Sequence, residues 1–294
     1  MSITQDLIDI LSLEKLEHGL YRGKSQNLVG KRVFGGQVLG QALLAASYTT
    51  DRPAHSMHAY FLFAGDINAP IIYQVESLRD GKSFVSRSVK AIQHGRTIFQ
   101  AMVSFAPREE GLQFQVAEPH YPQVDELPSE EQLKKQMIAS VPENYRQAFL
   151  RQRHIETVPI NPTHPFEPQV DVPNQAYYFK TWDTIPSHSS VHDDNALHQA
   201  IIAFCSDYSL MTTCLRPHGL SWLSPSLQVA SLDHTIYFHH PMRADEWLLY
   251  DMDATQTASS RGLSYGRIWQ NGRLVCSTVQ EGLVRLRDLD FSQG

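Results

Sequence analysis

The sequence aligns with itself. Residues 60–105 lie over residues 237–282 at a constant offset of 177 positions, without a gap. Tyr60 and Phe61 fall on Tyr237 and Phe238, Tyr73 on Tyr250, Ser83 on Ser260, Gln93 on Gln270, and Gly95-Arg96 on Gly272-Arg273. A repeat of this length constrains the fold to two copies of one supersecondary unit. It also makes each copy a control for the other. Where one copy carries a polar residue and the other an apolar one, the polar copy can hold chemistry that its twin lacks.

Both copies follow one plan: a short strand, an apolar helix, then a meander of strands. In the first copy residues 34–48 read FGGQVLGQALLAASY, with no charge and many small residues. A helix apolar all round is buried all round. The second helix is expected over residues 195–213, again nearly free of charge. Alternation predicts strands over 57–63, 71–78, 83–93 and 97–105, then 227–238, 247–254, 262–269 and 274–285. His94-Gly95 and Asn271-Gly272 fit two-residue hairpin turns that need positive φ. The result is an α+β chain whose two sheets are expected to join edge to edge, which hides strand edges. Residues 1–107 form the first unit and 174–294 the second. The stretch 108–173 is a connector with a charged helical segment over 130–153 and a Pro-rich part after it. Residues 1–13 read as a short amphipathic helix with Ser2 and Gln5 as a capping box.

Several partners are excluded. The net charge of −6 and pI near 6.1 argue against nucleic acid, whose phosphates need a basic surface. Cys205, Cys214 and Cys276 are too few and scattered for a disulfide framework, and read as buried thiols. No apolar run is long enough to span a bilayer. The start lacks the basic flank of a signal peptide and residues 291–294 are not a peroxisomal address, so a soluble cytoplasmic protein is expected.

Asp207 is the only charged residue from 199 to 213. An unpaired buried carboxylate is costly, so such an acid needs donors around it. The first copy has Ser47 there, at an offset of 160. Ser231 and Gln280 lie over Ala54 and Val103. Taken singly, each has a plainer account. Asp207 could face solvent or pair with Arg216, and Ser231 and Gln280 could be ordinary strand residues. All three polar exchanges fall in one copy, which favours a site. His58, lying over Thr235, is a second possible base but reads better as a packed histidine.

The stretches 32–38 (RVFGGQV), 58–62 (HAYFL) and 78–84 (LRDGKSF) resemble the acyl-CoA thioesterase II family. So do Ser206-Asp207, 228–234 (QVASLDH), 247–250 (WLLY) and 277–282 (STVQEG) in the second copy. The resemblance covers nearly the whole chain. It implies a double hotdog, in which each unit wraps a buried helix with an antiparallel sheet. It also implies hydrolysis of an acyl-CoA substrate to fatty acid and CoA, without metal or cofactor, in a homo-oligomer (dimer or tetramer). Family members hold an Asp, a Thr and a Gln that activate water; these map onto Asp207, Ser231 and Gln280, with Ser in place of Thr. Gly35-Gly36-Gln37 is a candidate donor set for an oxyanion. DDNALH is similar to the signature of hotdog enoyl hydratases, but has Ala196 for its Pro and His192 for its Gly. A hydratase using Asp193 and His198, or a non-catalytic acyl-CoA-binding module, are the alternatives.

Overall fold

A computed structural model describes residues 2–28, 30–187 and 191–287; the side chains of residues 191 and 192, and residues 291–294 discussed above, lie outside that description. The first half runs α1 (Ile3–Leu11), β1 (Leu13–Glu17), β2 (Leu20–Gly23), α2 (Gly35–Ser47), β3 (Ala54–Phe61), β4 (Ile71–Asp80), β5 (Val85–Gln93) and β6 (Arg96–Phe105). Then come α3 (Glu130–Met137), α4 (Glu143–Leu150) and β7 (Ile155–Pro159). The second half runs β8 (Asn174–Thr181), α5 (Val191–Ser206), β9 (Leu227–Ser231), β10 (Asp233–Phe238), β11 (Leu248–Ala258), β12 (Arg261–Gln270) and β13 (Arg273–Leu286). All strands join one antiparallel sheet, ordered β1-β2-β4-β5-β6-β3-β10-β13-β12-β11-β8-β7, with β9 also on β13. This is the double hotdog: two wrapped helices and one continuous sheet, joined edge to edge at β3 and β10.

The repeat is exact down to hydrogen-bond register. Val85 pairs with Phe105 as Gly262 pairs with Gly282, and Arg87 with Val103 as Ser264 with Gln280. The β-bulges repeat too: those between Ser77 and Arg79 and between Ala91 and Ile92 recur between Ala254 and Gln256 and between Ile268 and Trp269. At the seam His58 pairs with Thr235, its own counterpart, so a pseudo-twofold axis passes between them.

The helices meet on this axis. α2 is buried from Gly36 to Ser47, and its glutamines hydrogen-bond inside the core. Gln37 Nε2 donates to Lys24 O at 2.6 Å, and Gln41 Oε1 accepts from the Tyr73 hydroxyl at 2.7 Å. A methyl group at Gly36 would fall 2.3 Å from the Phe204 carbonyl oxygen, and one at Gly40 2.8 Å from that of Ala200. The backbones of α2 and α5 therefore touch, running antiparallel. The N-terminus of each helix lies beside the C-terminus of the other.

Three elements differ from expectation. The strand expected over 227–238 is divided at Leu232: both Leu232 and Asp233 oppose Glu281, making a bulge. Leu232 N–H donates to Glu281 O at 3.0 Å, and Glu281 N–H turns to Asp233 Oδ1 at 2.7 Å. The second helix begins at Val191 and ends at Ser206, because Ser209 adopts a positive φ of 65°; a 3-10 turn, Met211–His218, follows. The connector segment is two helices, since Pro142 opens α4 and lacks the N–H an unbroken helix requires. At the N-terminus the capping box is half made. Ser2 Oγ accepts from Gln5 N–H at 3.2 Å, while the Gln5 side chain turns to Asp9. The hairpin turns have positive φ at His94, Gly95, Asn271 and Gly272, as expected. The three cysteines are buried and unpaired. No helix among the described residues is long and apolar enough to cross a membrane.

Gly40→Val would drive two methyl groups into the Ala200 backbone. We expect a loss of about 1–3 kcal/mol from overpacking, read by chemical denaturation. Unchanged stability would show that the two helices do not depend on this close approach.

Candidate active site

Asp207 follows the last residue of α5 and so stands at the junction where the N-terminus of α2 arrives. A Cβ on Gly35 would lie 2.7 Å from Asp207 Oδ2, so only glycine lets the helix start approach the acid this closely. The Gly36 N–H donates to the carboxylate. Gln280 Nε2 donates to Asp207 Oδ1 at 2.7 Å from β13. Arg216, a possible partner on sequence grounds, is committed elsewhere: it is buried and binds Asp171, Thr163 and backbone carbonyls. The acid is held by an amide, a side-chain carboxamide and the positive end of a helix, and no cation pairs with it among the described residues.

Burial raises the Asp207 pKa above the ordinary aspartate value, and the Gln280 and Gly36 donors pull it back part of the way. Asp207 as a residue is half-buried. Aromatic rings line the approach: Phe34 lies 4.6 Å from Tyr208 and 5.2 Å from Phe204, and the edge of Phe61 also meets the space over Gly35. The Arg153 guanidinium of the connector sits over Tyr208 at 5.4 Å.

Ser231 ends β9 opposite Gly282, two residues beyond Gln280 on β13. Directly opposed residues and i,i+2 neighbours share one face, so Ser231 and Gln280 face the same side of the sheet. Asp207 and Gln280 are bonded; Ser231 makes no direct bond to either among the described residues. The bulge at Leu232 follows Ser231 immediately, and a bulge re-aims the side chains beside it.

The other candidates lie apart from this junction. His58 alternates with buried Met57 and Ala59, so it points to the outer face of the sheet, where it stands edge-on to Tyr237 at 5.4 Å. Asp193 lies at the opposite end of α5 from Asp207, roughly 20 Å away at 1.5 Å per residue. His198 is buried there, and its Nδ1 accepts from Ala244 N–H at 3.0 Å. Of the amides considered for an oxyanion, Gly36 N–H is given to Asp207 and Gln37 N–H to Phe34 O.

At the pseudo-symmetric place in the first copy, Ser47 Oγ donates back to Leu43 O, and Ala54 and Val103 are buried and apolar. A cavity of about 950 Å³ lies there, lined by Ala54, His55, Arg108, Gln199 and Phe238 among others. This cavity and the acid are thus at different ends of the molecule. The cavity end holds imidazoles instead of a matched acid: His55 Nε2 is 2.8 Å from Ser104 Oγ and His239 Nε2 is 2.8 Å from Ser277 Oγ.

The chain is similar to known proteins over nearly its whole length. A family model described as acyl-CoA thioesterase matches residues 144–283, and one described as acyl-CoA thioesterase N-terminal domain matches residues 24–106. Acyl-CoA thioesterase 2 of Haemophilus influenzae is 36% identical over 97% of this chain and 99% of its own length. Human acyl-coenzyme A thioesterase 8 is 38% identical over 95% of this chain and 88% of its own length. The crystal structure of an acyl-CoA thioesterase II from Mycobacterium marinum superposes with a TM-score of 0.74 at 34% identity, covering 98% of this chain and 100% of that one.

The raised pKa of Asp207 has a consequence for stability. The folded chain binds this proton more tightly than the unfolded chain does. The cost of the charged acid is therefore absent below the unfolded pKa and fully present above the folded one. Asp207→Asn should gain stability over the parent as pH rises through that interval, and gain nothing at lower pH. Thermal unfolding across pH checks this; a variant less stable than the parent at neutral pH would contradict it.

Proposed function

This chain belongs to the acyl-CoA thioesterase family, and we propose that it hydrolyses acyl-CoA to the free acid and CoA at Asp207, with Gln280 and Ser231. The observation that carries the assignment is the 2.7 Å bond from Gln280 to a buried carboxylate at the start of a helix. Asp207 acts as general base. It takes a proton from water as the water oxygen attacks the thioester carbonyl carbon. The tetrahedral intermediate then expels the CoA thiolate, which recovers a proton. Raising the carboxyl pKa brings it closer to the working pH and makes it a better base.

Gln280 fixes one carboxylate oxygen, and the Ser231 hydroxyl, on the same face, orients the attacking water. The α2 N-terminus adds a favourable potential where the carbonyl oxygen gains negative charge. The first copy, with Ser47, Ala54 and Val103, has no site, so each chain carries one. The same reading divides the chain at 107 and 173 into two hotdog units and a connector. It takes the exposed Tyr60, Met102, Tyr237 and Tyr265 as support for a homo-oligomer, a dimer or tetramer. The buried free thiols fit the reducing cytoplasm.

Thiol release from an acyl-CoA tests the proposal. Asp207→Asn should lower kcat by about 10²–10⁴. Ser231→Thr should stay within a few-fold, while Ser231→Ala should lose about 5- to 150-fold, as expected for one hydrogen bond to the reacting group. Near-normal turnover by Asp207→Asn would remove it from the mechanism.

A further inference from the structure

We propose that His234 and Ser264 are positioning residues that lock the Gln280 carboxamide in the one orientation that donates to Asp207. This rests on the reading that Gln280 serves the base.

The three residues stand in a row across adjacent strands. Thr235 opposite Val279 sets His234 beside Gln280, and Gln280 opposes Ser264 directly. All three are fully buried. Their counterparts are Met57, Val103 and Arg87, so the row is compact and polar in the second copy alone. Arg87 instead sends its guanidinium away, to Thr49, Ser77 and Asp80.

Counting protons defines the polarity of the row. Ser206 has a single O–H and gives it to Ala203 O at 2.8 Å. The 2.9 Å contact between Ser206 Oγ and His234 Nε2 is therefore donated by the ring. His234 carries its proton on Nε2, and Nδ1 is an acceptor. Burial lowers its pKa to about 3, so this neutral form persists through the working range. Gln280 spends one N–H on Asp207. Three buried atoms then have no protein partner: His234 Nδ1, Gln280 Oε1 and Ser264 Oγ.

Buried polar atoms in a row like this require partners, and these complement one another. No direct bond joins them, but the second N–H of Gln280 and His234 Nδ1, and Gln280 Oε1 and the Ser264 O–H, are donor–acceptor pairs on neighbouring strands that a buried water between each would bridge. A flipped carboxamide would set Oε1 against the Asp207 carboxylate. His234 reads the amino side and Ser264 the carbonyl side, and together they forbid the flip. Ser206, adjacent to Asp207 in sequence, anchors the row to the end of α5.

The test is a double-mutant cycle on thiol release with a pH profile. The Gln280 bond favours the charged carboxylate, so weakening it raises the Asp207 pKa and moves the acid limb of kcat/KM to higher pH. The titratable groups beside Asp207, Tyr208 and Tyr250, are pushed upward by burial and stay neutral there. Ser264→Ala should lower kcat about fivefold with KM unchanged and shift the acid limb upward, in the direction that Gln280→Ala shifts it. His234→Met, which installs the residue of the other copy, should do the same. Neither change should cost anything further in a Gln280→Ala background. An unmoved acid limb, or equal losses with and without Gln280, would overturn the proposal while leaving the site intact. Full activity of Gln280→Ala alone would overturn both.

Discussion

The contact between Gly40 and the Ala200 carbonyl sets the separation of the two buried helices, and the rest of the architecture is arranged around it. Side chains at Gly36 and Gly40 would push α2 away from α5. With glycine there, the antiparallel pair closes until the first amides of α2 reach the last residues of α5. The sheet must then be long enough to wrap both helices. It becomes so by joining β3 to β10, which also removes two free strand edges. An acid placed after α5 consequently meets the amide of Gly36 without any dedicated loop.

Electrostatics distinguishes the two ends of this nearly symmetric body. Both ends have a helix N-terminus beside a helix C-terminus. At one, Asp207 receives donors from α2 and β13. At the other, Ser47 satisfies itself within its own helix, and the strand positions are apolar. Three side-chain exchanges on a repeated backbone therefore separate a junction that holds a donor-matched acid from one that does not. The connector contributes to the reactive end through Arg153, which is paired with Glu130 and lies over Tyr208.

Much of this was legible in the chain. The offset of 177 carried strand pairing, turns and even bulges, because a duplicated backbone keeps its register when surface residues diverge. The absence of charge in 34–48 announced a buried helix. The pairing of Asp207 with Gln280 was foreshadowed by their joint absence from the first copy. Other features depend on tertiary contacts that no local pattern records. The break at Leu232 falls at a bulge that the first copy repeats between Ala54 and Ser56, and Asp233 accepts from Glu281 N–H across it. The end of α5 follows from a left-handed Ser209, a conformation that sequence rarely signals for serine. The direction of the Gly36 amide, and the row of His234, Gln280 and Ser264, arise only when segments far apart in sequence are brought together.

The central claim is that Asp207 activates water and does not itself attack the thioester. A single turnover in ¹⁸O-water, with enzyme in excess over acyl-CoA, separates the two. If Asp207 is the base, the carboxylate of the released acid carries one solvent oxygen from the first turnover, and the peptide holding Asp207 gains no label. Unlabelled acid in that first turnover, together with ¹⁸O in the Asp207 peptide, would mean that an acyl-aspartyl anhydride forms and would contradict the account.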